Sequence, residues 1–325
     1  MSTLVQFGSG LLTVLALLGL PSASAQTFPN KSIRVIVAFG PGGITDTIAR
    51  TVGQKMSERF GHPVVIENRG GAGGTVGARL AAAAAPDGHT LLVHTVAVAI
   101  NRTASKEAPD PLTELTPIAI AASAPTIFAV HNSNPAKSLG EYLETIRRTK
   151  SGRFSFGSAG IGTAEHLIAE FLFKTRGGFD ATHVPFQGGT APINAVLGQQ
   201  VDMAVTTIPT SFAHIKQGGL KVLAVATRGR VALIPDVPTL AEAGFADGEN
   251  ASWVAFFGPA GIPAPLVTTL HAEINRALDQ PDVRERLTAI GLDARTRSQA
   301  EFGDYLKAEV VRWAQVVKAT GVTPD

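Results

Sequence analysis

Three times along this chain an apolar, β-branched run gives way to a glycine-rich turn and then to a helix-period pattern. The turns read GPGGITD at 40–46, RGGAGG at 69–74 and GSAGIGT at 157–163. Repeated strand–turn–helix units favour an α/β fold built on a mostly parallel sheet covered on both faces. The first unit is the clearest. Residues 32–39 (SIRVIVAF) read as a buried strand, and Ile44, Ile48, Val52 and Met56 then recur at four-residue spacing on one helical face. That helix ends near Gly61, where Pro63 forbids continuation. A second strand follows over 64–67, a helix over 75–85 stopped at Pro86, and a third strand over 90–93.

Residues 94–125 show no comparable rhythm, and Pro109 and Pro111 mark a loop. The cycle resumes with strands predicted at 126–130, 153–156, 181–184, 201–205 and 221–227 and helices at 137–149, 163–175, 190–198 and 209–217. After a turn-rich stretch to 248 come a strand over 253–257 and three helices, 266–278, 281–290 and 298–319. Phe302, Leu306, Trp313 and Val317 on the last helix read as packing positions. Two runs of α/β units are thus separated near 125–130 and again near 228–250. Periodicity permits one large domain or two.

The start of the chain speaks to compartment. An apolar run at 11–20, followed by a polar stretch with Ala23 and Ala25 around a small residue, reads as a signal peptide cleaved near Gln26. Residues 1–10 lack the usual Lys or Arg. No later run is long enough to span a bilayer. With no cysteine, an exported chain rests on its hydrophobic cores alone. Lys and Arg total 28 against 26 Asp and Glu, with no basic cluster, which removes nucleic acid as a partner.

The glycine-rich turns are the candidate binding elements. Small residues at a helix start let a ligand approach the backbone, and the free N–H groups with the helix dipole favour an anion. Thr45, Ser158 and Thr163 add hydroxyl donors. The same glycines also serve simply as tight turns. None of the turns ends in the Gly-Lys-Ser/Thr of a phosphate loop, and the dinucleotide pattern fails at Thr45, so no cofactor is expected. No G-x-S-x-G elbow surrounds Ser158. His166 and His183 lie at no metal-ligand spacing and read as structural, so neither catalytic residues nor a metal are expected.

Several ordered motifs carry a resemblance. FPNKSIRVIVAFGPGGITDTIAR at 28–50, VIENRGGAGGTVG at 65–77, PDGHTLL at 86–92, GSAGIGT at 157–163 with His166, HVPFQGG at 183–189, PTLAEAG at 238–244 and Trp253 ahead of PAGIP at 259–263 together resemble the tripartite tricarboxylate transporter receptors, also called Bug proteins. The likeness runs from about 28 to 320. It implies a type II periplasmic binding protein with one lobe of 28–125 plus 250–325, another of 126–249, and a ligand cleft between them.

What the resemblance implies for function is a non-enzymatic periplasmic receptor. It would capture a small organic carboxylate (a di- or tricarboxylate, an acidic amino acid or an aromatic acid) and deliver it to a two-component integral membrane permease. The implied ligand loops supply Gly40, Pro41, Gly42, Gly43, Thr45 and Asp46 from one lobe and Ser158, Ala159, Gly160, Gly162 and Thr163 from the other. Thr95, Phe186 with Gln187, and Thr206 with Thr207 are further cleft candidates. Asp46 is ambiguous, because its charge opposes a carboxylate unless it faces away. Phe186 stands where the family more usually has Tyr, and the stretch from Asn101 departs from the usual pattern. The competing readings are a sensory protein acting on a membrane partner and an exported hydrolase using Ser158.

Overall fold

The computed structural model describes residues 28–148, 154–178, 181–245 and 251–322. The expected signal peptide, the ends of the predicted elements at 149 and 153, and the expected lobe boundary at 249–250 lie outside the described residues. Among those described, no helix is long and apolar enough to cross a membrane.

The first half of the fold follows the pattern read from the sequence. β1 (Ile33–Val37), α1 (Ile44–Phe60), β2 (Val64–Asn68), α2 (Thr75–Ala82) and β3 (Thr90–Thr95) form parallel βα units, with β1 between β2 and β3. Alternation along β1 explains why it reads as continuously apolar. Ile33, Val35 and Val37 enter one core with Ile48, Val52 and Met56 of α1, whereas Ile36 enters a second core on the opposite face. α1 stops because Gly61 adopts φ 68° and closes its N–H onto the Ser57 carbonyl.

The stretch read as irregular is where the structure departs from expectation. It contains α3 (Ala97–Ala104) and the start of β4 (Leu115–His131), a 17-residue strand. At about 3.3 Å per residue β4 runs roughly 55 Å. Its first part, Leu115 to Pro125, pairs with β9 (Ala251–Pro259), and its last part, Thr126 to His131, pairs with β7 (Met203–Thr207) and β8 (Leu220–Val225). Pro117 and Pro125 disguise it, since proline is depleted from strand interiors. Register shifts near Pro117 and Ile120 mark where its pairing with β9 slips.

The second block comprises α4 (Leu139–Arg148), β5 (Phe154–Ser158), α5 (Ala164–Glu170) running into a π-helical turn at Phe171–Gly177, β6 (Ala181–Pro185), α6 (Thr190–Leu197), β7, α7 (Ile208–Lys216) and β8. Here too β5 pairs in parallel with β6 and β7. The sheet order is β2-β1-β3-β9-β4-β7-β5-β6, with β8 and the short β10 (Asp293–Ala294) also on β4. The expected mostly parallel sheet is therefore mixed. Each βα block is parallel inside, but every pairing of β9 and β4 is antiparallel. β4 is the one strand that belongs to both blocks, so its direction is set by passage from one to the other.

α8 (Ala264–Leu278), α9 (Pro281–Ala289) and α10 (Gln299–Thr320) return to the first block. α10 starts with a capping box between Ser298 and Glu301 and buries Phe302, Leu306, Val310, Trp313 and Val317 against Trp253 and Phe257 of β9. Glu309 lies in the same buried face and accepts hydrogen bonds from the indole N–H groups of Trp253 (2.9 Å) and Trp313 (3.2 Å). The two blocks meet through a shared core, in which Ala164 and Leu167 of α5 pack in one cluster with Phe257 of β9 and Phe302 of α10, and the loop after β1 touches the loop after β6.

Candidate functional site

The turn after β1 is braced from behind. Asp46, 5% exposed, accepts from the Gly42 amide (3.0 Å), from Arg50 (3.0 Å) and from Asn68 (3.0 Å), and Asn68 also donates to the Phe39 carbonyl. Burial alone would raise the Asp46 pKa, but the hydrogen bonds from Arg50, Gly42 and Asn68 outweigh it and hold the carboxyl below its usual range. Its charge is thereby spent on the loop. Gly43 and Thr45, in contrast, sit at the start of α1 and are buried.

The turn after β5 is braced by histidines. Thr163 caps α5, accepting from the His166 amide (3.3 Å) and donating to the Gly160 carbonyl (2.8 Å). The Ser158 hydroxyl lies 2.7 Å from His183 Nε2, and the His183 ring stacks on His166 with centroids 3.8 Å apart. Burial pushes the His166 and His183 pKa values down to about 3 and about 4 respectively, so both rings are neutral near pH 7. Both are structural hydrogen-bonding and stacking groups here.

The two blocks touch main chain to main chain. The Gly40 amide donates to the Gln187 carbonyl at 2.9 Å. Within the first block the Asn101 side chain donates to the Gly73 carbonyl at 2.9 Å, and a β-carbon on Gly73 would collide with the Ile161 carbonyl oxygen of the second. Only a residue without a side chain permits that approach.

Beside this seam lies a cavity with an empty volume of ≈ 390 Å³, its mouth included. Of the residues expected from the sequence, Gly43, Thr45, Thr95, Ala159, Thr163 and Thr206 line it. The structure places Gly40, Pro41, Gly42, Asp46, Ser158, Gly160, Gly162 and Phe186 around the seam and behind the loops, outside this lining. Phe186 packs against Gly157, and Ser158 is fully buried.

Thr207, expected with Thr206, lines it too, as do Phe39, Ile44, Glu165, Gly189 and Thr210. Most of the wall is the first turns of helices: Gly43 to Thr45 open α1, Thr163 and Glu165 open α5, Gly189 precedes α6, and Thr207 and Thr210 open α7. These helix starts line the cavity from both blocks, and helix N-termini suit an anion. Among the described residues, no Lys or Arg lines it and Glu165 is its one acidic residue. Burial raises the Glu165 pKa; its own amide and the Thr163 and Ser252 hydroxyls offset this only in part. Sequence reasoning passed over Glu165 because an acidic residue in a first helical turn is ordinary dipole chemistry. Among the described residues, no group of three or more His, Asp or Glu is arranged to hold a metal ion.

Comparison with known proteins places this arrangement in context. The family model for the tripartite tricarboxylate transporter family receptor matches residues 48–322. The periplasmic binding protein BugD superposes with a TM-score of 0.86 at 30% identity, covering 91% of this chain and 99% of BugD. MatC from Rhodopseudomonas palustris, solved with bound malate, gives 0.84 at 34% identity over 89% of this chain and all of MatC. A second R. palustris protein, Rpa4515 with adipate, gives 0.85 at 29% identity over 91% of this chain and 99% of its own.

Proposed function

The chain belongs to the tripartite tricarboxylate transporter receptor family, and from that premise we propose that it is a periplasmic receptor which captures a small dicarboxylate and delivers it to a two-component membrane permease. The observation that carries this reading is the convergence of helix first turns from both blocks on one cavity that contains no basic side chain. Backbone amides, threonine hydroxyls and bridging waters satisfy carboxylate oxygens there without a buried ion pair. The malate and adipate bound by MatC and Rpa4515 support a dicarboxylate of four to six carbons.

Two lobes, 28–125 with 250–325 and 126–249, move about β4, which pairs with strands of both blocks. Ligand contacts to both sides favour the closed arrangement, a population shift driven by differential affinity. Gly43, Thr45, Thr95, Ala159, Thr163 and Thr206 touch the ligand directly, while Gly40, Pro41, Gly42, Asp46, Ser158, Gly160, Gly162 and Phe186 shape and close the loops around it.

No bond need be made or broken in this cycle. Ser158 is a poor nucleophile here: it is fully buried, it lies outside the cavity wall, and its partner His183 has a pKa pushed down to about 4. Isothermal titration of refolded, ligand-free protein against a panel of carboxylates tests the proposal. Micromolar or tighter binding of a dicarboxylate, without turnover and with a smaller radius in small-angle scattering, is the expected result. Silence across the panel, or hydrolysis that vanishes in Ser158→Ala, would overturn it.

A further inference from the structure

Glu165 stands in a place that a carboxylate receptor should avoid. It is 6% exposed, it lines the cavity, and the wall contains no cation to balance it. A buried, unpaired carboxylate is costly, whereas the neutral acid is not. The direction in which burial moves its pKa agrees with this, and no charged neighbour counts among the causes.

The titratable groups on the elements packed around Glu165 are engaged elsewhere. Asp46 on α1 serves Gly42, Arg50 and Asn68, and His94 on β3 bonds the Thr95 backbone. On α5 itself, His166 accepts from the Gly162 amide and Glu170 pairs with Lys174. His183 on β6 holds Ser158, and Glu309 on α10 holds two indoles and Arg312. None of them supplies Glu165 with a counter-charge.

A neutral carboxylic acid has what its ionised form lacks, an O–H donor. An apolar site can keep such an acid protonated at pH 7 for that purpose. A hydrogen bond from O–H to a carboxylate is short and charge-assisted, among the stronger kinds. We infer that Glu165 contacts the ligand and, as the neutral acid, donates its carboxyl proton in a hydrogen bond to the bound carboxylate. The proton stays on Glu165 throughout, so no group is transferred. Ionised, the same side chain would repel the ligand, which makes Glu165 a determinant of specificity as well as of affinity. The inference rests on the carboxylate-receptor reading above.

The test uses the full mature protein with malate and adipate as probes, at pH 7, in the wild type, Glu165→Gln and Glu165→Ala. The glutamine amide replaces the donor, so affinity should stay within about threefold; alanine removes it, and affinity should fall about tenfold or more. Infrared spectra of the ligand-bound wild type should contain a neutral carboxylic acid band that disappears in Glu165→Gln. Binding by Glu165→Ala as tight as wild type, or absence of that band at pH 7, would overturn the inference while leaving the receptor reading intact. Failure of the wild type to bind any carboxylate would overturn both.

Discussion

The Gly40 amide donates to the Gln187 carbonyl at 2.9 Å, so the loop after β1 and the loop after β6 are joined main chain to main chain. The contact brings the two blocks together at the edge of the cavity without any side chain from either partner.

A β-carbon at position 40 would lie 2.6 Å from that carbonyl oxygen. Gly40→Ala therefore holds the loops apart while leaving both cores untouched. We expect an unchanged thermal midpoint to within a few degrees, carboxylate affinity weakened about tenfold, and no ligand-dependent decrease in scattering radius. A normal contraction on ligand addition would show that the Gly40–Gln187 contact is not needed for closure.

Asp46 works on the cavity from a distance, by holding Gly42 and Asn68 in place. Asp46→Asn exchanges a charged acceptor for a neutral one and should cost about 1–3 kcal/mol of stability, with weaker ligand binding. Because its folded pKa is lowered from 3.8, the wild-type contribution is complete above that value and is lost as the pH falls through the folded pKa. Urea melts of the two proteins at pH 7 and pH 3 should show a smaller gap at the acid end. A gap of equal size at both pH values would contradict this.

Three buried histidines give a second pH dependence, in a different window. His94 and His183 are pushed down to about 4 and His166 to about 3, against 6.5 in the unfolded chain. Below pH 6.5 the unfolded state takes up protons that the native state refuses, so stability drops as the pH falls towards about 4. The slope is about 1.4 kcal/mol per pH unit for each histidine. Glu165 has the opposite sign, since its raised pKa makes the native state the better proton binder above 4.5. Urea midpoints at pH 7.5 and pH 5 should show the more acidic sample to be less stable; equal midpoints would refute the assignment.

Glu309 is buried with two indole N–H donors pointed at it. Glu309→Ala leaves both donors and a cavity behind, and should destabilise the protein by about 3 kcal/mol. Ligand affinity, measured below the melting transition, should not change, because Glu309 is absent from the cavity wall. A loss of affinity without a loss of stability would be the wrong pattern for this role.

Much of this architecture was legible before the structure, and the legible parts have one property in common. The strand of 33–37, the helix of 44–60 and the stop at Gly61 are each specified by residues within a few positions of one another, through β-branching, four-residue spacing and the left-handed freedom of glycine. The glycine-rich turns were visible as helix starts for the same reason. β4 was hidden because its residues carry two different relationships: Leu115 to Pro125 answer to β9, and Thr126 to His131 answer to β7 and β8.

The cavity divides along the same line. The α/β units, the hydroxyl-rich helix starts and the family can be read from the residues alone, since local preferences and ordered motifs suffice for those. Long-range packing alone sets Thr45, Thr95, Thr163 and Thr206 on one wall, turns the charge of Asp46 to the loop behind it, and puts Glu165 in the cavity lining. Those outcomes depend on how a long shared strand sets two blocks against each other, and pairing between distant segments leaves no mark in the spacing of neighbouring residues.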